Sequence, residues 1–220
     1  FKSLLWIFVA VSSLNAIAFW FMPKVETVKG STNPFSAFKW LKKDKKFRTL
    51  IVSWMLMGLG NLTAFKIWIE YFANEKYGNG FSAFEATLLS SIIPAGVKII
   101  FTYPWGWLFD RMNFYLLRVI LNVIFGAAIL VVFYAESFWI IAIGTGLQGV
   151  AFAGGNIAWM LWVTKIAPPE HTAEYMSIHT FTTGLRGVLA PALGFYLLVT
   201  IGNSIAIFSA ILITLASVVL

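Results

Sequence analysis

Long apolar stretches separated by short polar joins make up most of this chain. A bilayer core of about 30 Å is crossed by about 20 consecutive apolar residues in a helix. The runs are too continuous to be the alternating ten-residue strands of a membrane barrel. The pattern therefore predicts seven transmembrane helices, over residues 3–22, 48–72, 83–108, 114–134, 138–163, 175–199 and 203–220.

Composition supports a membrane protein. Hydrophobic residues form 60% of the chain, charged residues form 11%, and the mean hydropathy is +0.83. In soluble proteins roughly a quarter of the residues are charged. Lipid requires every backbone polar group to be satisfied internally, which leaves helices as the structure for these runs. We therefore predict an all-α polytopic transmembrane helix bundle. The absence of cysteine excludes disulfides and thiol chemistry, and we expect no cofactor and no metal.

The loops on the two sides of the predicted spans differ in their number of basic residues. One set holds eleven Lys or Arg residues and the other holds two. The first set consists of Lys24, Lys29, Lys39, Lys42, Lys43, Lys45, Lys46, Arg48, Arg111, Arg118 and Lys165; the second consists of Lys2 and Lys76. Because basic loops stay in the cytoplasm, the first set is predicted to be cytoplasmic. The net charge of +7 then reflects topology and attraction to anionic lipids, and we expect no nucleic-acid partner.

The longest basic join is predicted to contain a short helix. Asn33 can cap it and Pro34 can open it, while Phe35, Phe38 and Leu41 recur near helical spacing. With lysines on its other sides, such a helix should lie flat on the inner membrane surface. A linker anchored at the interface is the favoured interpretation, and a regulatory or partner-binding role is the alternative.

The chain begins and ends within apolar sequence, so we expect a fragment of a longer protein. One helix precedes the long basic join and six follow it. Residues 1–22 are interpreted as the last helix of an N-terminal half. Residues 23–47 then form a cytoplasmic linker, and residues 48–220 form a six-helix bundle. The missing N-terminal half is accordingly an expected partner.

A charged turn joins the second and third helices after the linker, and it carries Gly106, Asp110, Arg111 and Arg118. It resembles the G-x-x-x-D-R-x-G-R-R signature of the major facilitator superfamily. Asn113 stands where the family has its second Gly, and an aromatic pair replaces the Arg pair. The resemblance implies the sixth to twelfth helices of a secondary transporter that works by alternating access. Residues 177–191 are similar to bacterial facilitators, which implies the bacterial cytoplasmic membrane.

The signature turn has chemistry of its own. Gly106 would let a neighbouring helix approach closely, and Asp110 would accept hydrogen bonds from helix N-terminal amides. Arg111 and Arg118 would reach lipid phosphates or the carbonyl ends of nearby helices. Contacts of this kind would hold one conformation and break in another, which makes the turn a candidate gate. A turn that only sets topology is the alternative.

Two positive side chains, Lys98 and Arg186, lie deepest in the predicted spans. A charge near the bilayer midplane is costly unless it faces a cavity or a partner. Arg186 shares a helical face with His179 and Thr183. We predict that Lys98 and Arg186 line a cavity and hold an anionic or zwitterionic solute, with Thr183 as a further contact of that solute. Bonds to the backbone carbonyls of a bent helix are the alternative.

Polar and aromatic groups form a stripe on the helix over 138–163. Gln148, Trp159 and, at the edge of the stripe, Asn156 are predicted to form a wall of the solute site. Asn61, on an earlier helix, would either line the cavity or tie two helices together. Ordinary helix packing is the alternative for all four.

Energy coupling has few candidates here. The predicted spans hold no Asp or Glu at mid-depth, so a carboxylate proton carrier would lie in the missing half. His179 is a candidate because an unperturbed histidine titrates near neutral pH, but it lies close to the cytoplasmic end, where we expect it to be hydrated if it has no role in coupling. Lys66 and Glu70, one turn apart near the outer end, are further candidates for coupling, and an ordinary ion pair without a role in transport is the favoured alternative.

Other classes of function fit less well. No paired catalytic groups indicate an enzyme, and no filter-like loop indicates a channel. The predicted function is a transporter for a small solute, surrounded by membrane lipids. The alternative is a non-transporting subunit or receptor within a larger assembly.

Overall fold

A computed structural model describes residues 2–21 and 35–220. The chain divides into two compact units, Phe1–Ser36 and Ala37–Leu220. In the first unit, helix α1 covers Lys2–Trp20, close to the predicted span. Asn33 and Pro34, which were predicted to open the linker helix, lie outside the described residues.

The second unit is a bundle of helices, and no strand occurs among the residues described. Its α-helices are α2 (Lys39–Lys43), α3 (Lys45–Phe65), α4 (Trp68–Ala73), α5 (Ala83–Thr87), α6 (Ile93–Arg111), α7 (Phe114–Tyr134), α8 (Phe138–Leu161), α9 (Val163–Ile166), α10 (Thr172–Ile201) and α11 (Ile205–Val219). The predicted all-α membrane bundle is thereby confirmed.

Five helical stretches in the described residues are long and apolar enough to cross a bilayer. They are Lys45–Ala73, Ala83–Arg111, Phe114–Tyr134, Phe138–Leu161 and Pro169–Val219, and the shorter apolar helix Leu5–Trp20 precedes them. The last stretch contains two predicted spans, α10 and α11. They are joined by the turn Gly202–Ser204, where Gly202 has a φ of +54° that suits glycine.

Two of the spans are interrupted. The helical pattern breaks at Lys66–Ile67, so α3 and α4 together form the predicted helix over 48–72. Between α5 and α6 the backbone widens into a π-helical turn, Leu88–Ile92. Pro94 lies two residues after this turn, and a proline lacks an amide donor and collides with the carbonyl four residues earlier. The wider turn accommodates the proline ring within one continuous stretch.

Glycines bring the backbones of neighbouring helices into contact. A Cβ atom added to Gly149 of α8 would lie 2.5 Å from the carbonyl oxygen of Pro94 in α6. A Cβ atom on Gly194 of α10 would collide with the carbonyl oxygen of Thr63 in α3. Small residues at such crossings allow the close packing that drives helix association in lipid.

Helix α2 contacts protein on its aromatic side. The indole of Trp40 lies 4.3 Å from the His171 ring and donates a hydrogen bond to Glu174. Lys39 pairs with the same carboxylate at 3.2 Å. The position of this helix on the inner membrane surface stays a prediction, and these contacts show that Trp40 also packs against protein. The end of the linker packs against the start of α10 because one carboxylate there accepts from both side chains.

Candidate functional site

A cavity of about 240 Å³ lies between α3, α7, α8 and α10. Its lining consists of Trp54, Met57, Gly58, Asn61, Leu62, Phe125, Phe152, Gly155, Asn156, Trp159, Thr183 and Arg186. Five of these residues were predicted from sequence to bind solute: Asn61, Asn156, Trp159, Thr183 and Arg186. Apolar and aromatic walls with a few polar groups are typical of small-molecule sites.

Arg186 is the charged group of this cavity. Its side chain is only 6% exposed, and Nη1 donates a hydrogen bond to the backbone carbonyl of Trp54. Its Nε atom is buried and has no acceptor among the described residues. Arg186 therefore lines the cavity, as predicted, and also donates to a backbone carbonyl, as the alternative interpretation expected.

Gly58 makes room for this arginine. A Cβ atom added at Gly58 would collide with the guanidinium group of Arg186. Trp54, Gly58 and Asn61 follow one another at i, i+4 and i+7, so they share one face of α3. That spacing is the sequence signal that would have placed Trp54 and Gly58 in the site beside Asn61.

Gln148 lies behind the cavity wall. It is fully buried, it does not line the cavity, and its Nε2 atom donates to Oδ1 of Asn61 at 2.7 Å. The prediction that Gln148 forms part of the wall is corrected accordingly. Because its amide fixes the orientation of Asn61, it acts on the cavity through that residue.

Lys98 is not brought to this cavity. No residue of α6 lines it, since α3, α7, α8 and α10 enclose it. Lys98 is half-buried and is followed in sequence by Ile99 and Ile100, which are 76% and 69% exposed. The expectation that Lys98 and Arg186 line one crevice is therefore wrong in this structure.

Arg118 is buried in the bundle, contrary to the expectation that it reaches lipid phosphates. Its exposure is 0%, and its guanidinium carbon lies 3.6 Å from the centre of the Trp54 indole. Three guanidinium nitrogens have no acceptor among the described residues. The reason is helical periodicity: Arg118 shares a face of α7 with the buried residues Leu121 and Phe125.

The turn between α6 and α7 is capped by Asn113. Its side-chain oxygen accepts from the amides of Tyr115 and Leu116 at 2.9 and 3.4 Å. Asp110 was expected to play that part, but it lies at the end of α6, one turn too early. The backbone oxygen of Asp110 instead accepts from Lys165 at 3.4 Å.

Gly106 and Arg111, the other candidate gating residues, make looser contacts. A Cβ atom on Gly106 would meet only the Ile157 side chain, at 4.0 Å, so close helix packing does not require a glycine there. The Arg111 guanidinium lies 4.3 Å from the centre of the Trp107 ring, a cation–π contact on the same helix.

His179 is buried with an exposure of 0%, so the expectation that it is hydrated is wrong. Its Nδ1 atom accepts from the indole of Trp162 at 2.8 Å, and its ring lies 5.0 Å from that of Trp54. A proton on Nδ1 would break the Trp162 bond. His179 therefore holds an aromatic cluster beside the cavity.

Lys66 and Glu70 do not form the expected ion pair, because the helix breaks between α3 and α4. Lys66 is exposed in the break, and Glu70 accepts from Asn74 at 2.8 Å. Within the described residues, the ion pairs are those of Glu174 with Lys39 and His171.

The sequence matches the model of a known protein family over most of the helical bundle. The model of the Major Facilitator Superfamily matches residues 69–220, which is more than half of the chain. The match covers the turn from Gly106 to Arg118, and the resemblance drawn from that turn is confirmed. It begins after α3, so the cavity residues Trp54, Gly58 and Asn61 lie upstream of it. No individual curated protein matches the chain.

Proposed function

The chain belongs to the Major Facilitator Superfamily, and from this premise we propose that it is the C-terminal half of a secondary active transporter. Members of the family are multi-pass membrane transporters, not enzymes. The proposed transporter moves a small anionic or zwitterionic solute by alternating access across the bacterial cytoplasmic membrane. The remaining half of the site comes from an N-terminal six-helix half.

The observation that carries this proposal is the position of Arg186. A membrane-buried arginine costs at least about 3 kcal/mol when it has no partner. Here one guanidinium nitrogen binds a backbone carbonyl, while Nε has no acceptor among the described residues. Asn61, Asn156 and Thr183 line the same cavity and supply further polar groups. Guanidinium and amide donors together suit a carboxylate or phosphate group.

The interrupted helices support alternating access. Lys66–Ile67 divides one span, and the turn Leu88–Ile92 loosens another. Such breaks let a helix bend without disturbing the packing on either side. On the side predicted to be cytoplasmic, Lys165 holds the carbonyl of Asp110 and thereby links the ends of α9 and α6. Release of that contact is a candidate step in opening, with Arg111 beside it.

The test uses the full-length protein, including the sequence upstream of Phe1, in proteoliposomes. Uptake of radiolabelled succinate, phosphate, acetate, glutamate and glycine identifies a transported solute. Arg186→Gln is expected to raise the half-saturation concentration at least tenfold, because the solute loses its charged partner. Lys76→Gln, at an exposed loop, is the matched control and should leave it unchanged.

Arg186→Lys keeps the positive charge and is expected to retain part of the affinity. Unchanged half-saturation in Arg186→Gln would overturn the assignment. Absence of flux for every solute, together with a stable complex with another protein, would favour the non-transporting subunit or receptor. Uptake after a pH jump separates proton coupling from exchange, uniport and coupling to another cation.

A further inference from the structure

Two arginines, Arg118 and Arg186, lie near the indole of Trp54. We propose that the transported solute carries two negative charges, and that Arg118 supplies the second positive charge of the site from behind the indole of Trp54. The inference rests on the proposed function, since it names the class of solute held at Arg186. A dicarboxylate and a phosphate dianion share the required chemistry.

Trp54 brings the two arginines together. The guanidinium carbon of Arg118 lies 3.6 Å from the centre of the indole, and that of Arg186 lies 6.0 Å from it. Arg186 and Trp54 line the cavity, while Arg118 does not. The indole therefore contacts the cavity that holds the Arg186 guanidinium and also contacts the guanidinium of Arg118, which lies outside the cavity.

No side chain in the described residues neutralises these charges. The three nitrogens of Arg118 and the Nε atom of Arg186 lack acceptors there. The ion pairs of the described chain involve Glu174 with Lys39 and with His171. Two positive charges thus remain around one aromatic ring, without a carboxylate of this part of the chain to balance them.

Charge balance selects the solute. In a medium of low dielectric constant, the interaction between charges is many times stronger than in water. A buried charge without a partner is strongly unfavourable, so a bound anion stabilises the site. A monoanion would leave one positive charge uncompensated, and a zwitterion would bring a third positive charge. A dianion leaves the site neutral, which favours it over both.

A purely structural role for Arg118 makes a different prediction. If the cation–π contact with Trp54 serves only packing, removing the guanidinium should destabilise the protein whether or not an anion is present. If Arg118 is an uncompensated charge, an apolar side chain of similar length should leave the anion-free protein equally stable or more stable. Only the second case links Arg118 to the charge of the ligand.

The experiment measures Tm of the purified full-length protein in detergent at pH 8, in a chloride buffer of constant ionic strength, and anion-free here means that no probe anion has been added to that buffer. The probes are succinate, inorganic phosphate, acetate and glycine. We expect succinate, phosphate or both to raise Tm by several degrees, and acetate and glycine to have little effect, because a ligand stabilises the state that it binds. Response to only one dianion identifies whether the oxyanions are carboxylates or phosphate.

Arg118→Met should keep or raise the anion-free Tm. The affinity for dianions, obtained from the dependence of Tm on ligand concentration, should fall at least tenfold. Acetate should then bind about as tightly as the dianions, since one positive charge remains. Arg48→Met removes the same charge at an exposed position outside the candidate gate and should preserve the dianion preference. Arg118→Lys should preserve it in part.

Three results would overturn the inference. They are an unchanged dianion preference in Arg118→Met, a lowered Tm in that variant without any anion, and a wild-type protein that is stabilised by acetate or glycine but by neither dianion. None of them removes the proposed transport function, which is tested separately by uptake of solutes into proteoliposomes. Conversely, absence of flux for every solute would remove the proposed function, and an unchanged half-saturation concentration in Arg186→Gln would remove the role of Arg186, whatever the dianion response.

Discussion

Trp54 holds the candidate site together at the scale of single residues. Its backbone carbonyl accepts from Arg186, its ring meets Arg118, and the same ring lies 5.0 Å from His179. A carbonyl acceptor and an aromatic face are both compatible with a positive charge, yet neither neutralises it. The arginines are thus oriented by the protein while their charge remains available to a ligand.

Gly58→Ala tests this arrangement without altering any charged group. The added methyl group would collide with the Arg186 guanidinium, so the arginine must shift, and we expect its bond with the Trp54 carbonyl to be lost. We expect the half-saturation concentration to rise about tenfold, equivalent to about 1.4 kcal/mol of binding free energy. Uptake by the full-length variant in proteoliposomes provides the measurement.

Gly126→Ala is the matched control for that substitution. It also places a methyl group on a helical glycine, but the nearest atom would be the Ile213 side chain at 3.9 Å, an ordinary contact. Its uptake kinetics should stay within about twofold of the wild type, roughly 0.4 kcal/mol. Equal effects in both variants would argue against the role given to Gly58.

At the scale of helices, close backbone contacts set the geometry of the cavity. Gly149 fits α8 against α6 at Pro94, and Gly194 fits α10 against α3 at Thr63. The second contact aligns the two helices that contribute Trp54 and Arg186. The signature residue Gly106 makes no comparable contact, since its nearest neighbour to an added Cβ is 4.0 Å away.

Gly194→Ala should therefore destabilise the bundle. A Cβ atom there collides with a backbone oxygen that cannot rotate away, and overpacking of this kind costs about 1–3 kcal/mol. We expect Tm of the full-length protein in detergent to fall by several degrees. Gly106→Ala should leave Tm within about a degree, because overpacking costs arise only where an added group lacks space. The reverse order would contradict the packing described.

At the scale of the whole molecule, burial is uneven among the spans. The most apolar part of Lys45–Ala73 is 61% buried, compared with 17% for Ala83–Arg111 and 28% for Pro169–Val219. Helix α6 therefore presents a wide apolar face, and half-buried Lys98 lies on that helix. A lysine at that depth is stabilised by a polar partner, which the proposed N-terminal half would supply.

The predicted topology can be tested by thiol labelling once any cysteine upstream of Phe1 is replaced, because these 220 residues contain no cysteine. Lys76→Cys lies between α4 and α5, and Lys165→Cys lies in α9, at opposite ends of the predicted spans. A membrane-impermeant thiol reagent added to intact cells should label Lys76→Cys and leave Lys165→Cys unlabelled. Both should react after permeabilisation, and labelling of Lys165→Cys alone would reverse the orientation.

Much of the fold was accessible from the sequence. Continuous apolar runs, bounded by polar turns, predicted the helices after the linker to within a few residues at most ends. The interruptions at Lys66–Ile67 and before Pro94 were not predicted, because hydropathy averages over about twenty residues and is insensitive to local backbone geometry. The linker contact between Trp40 and Glu174 was missed because it joins residues far apart in the chain.

For the site, the sequence determined which polar and charged residues occur within apolar helices, since each is rare there and costly in lipid. It singled out Arg186, Asn61, Asn156, Trp159 and Thr183, which the structure gathers around one cavity. Only the tertiary structure decided that Lys98 faces elsewhere and that Arg118 turns inward to Trp54. Helical periodicity gives the relative directions of side chains on one helix, whereas their partners depend on how the helices rotate and pack against one another.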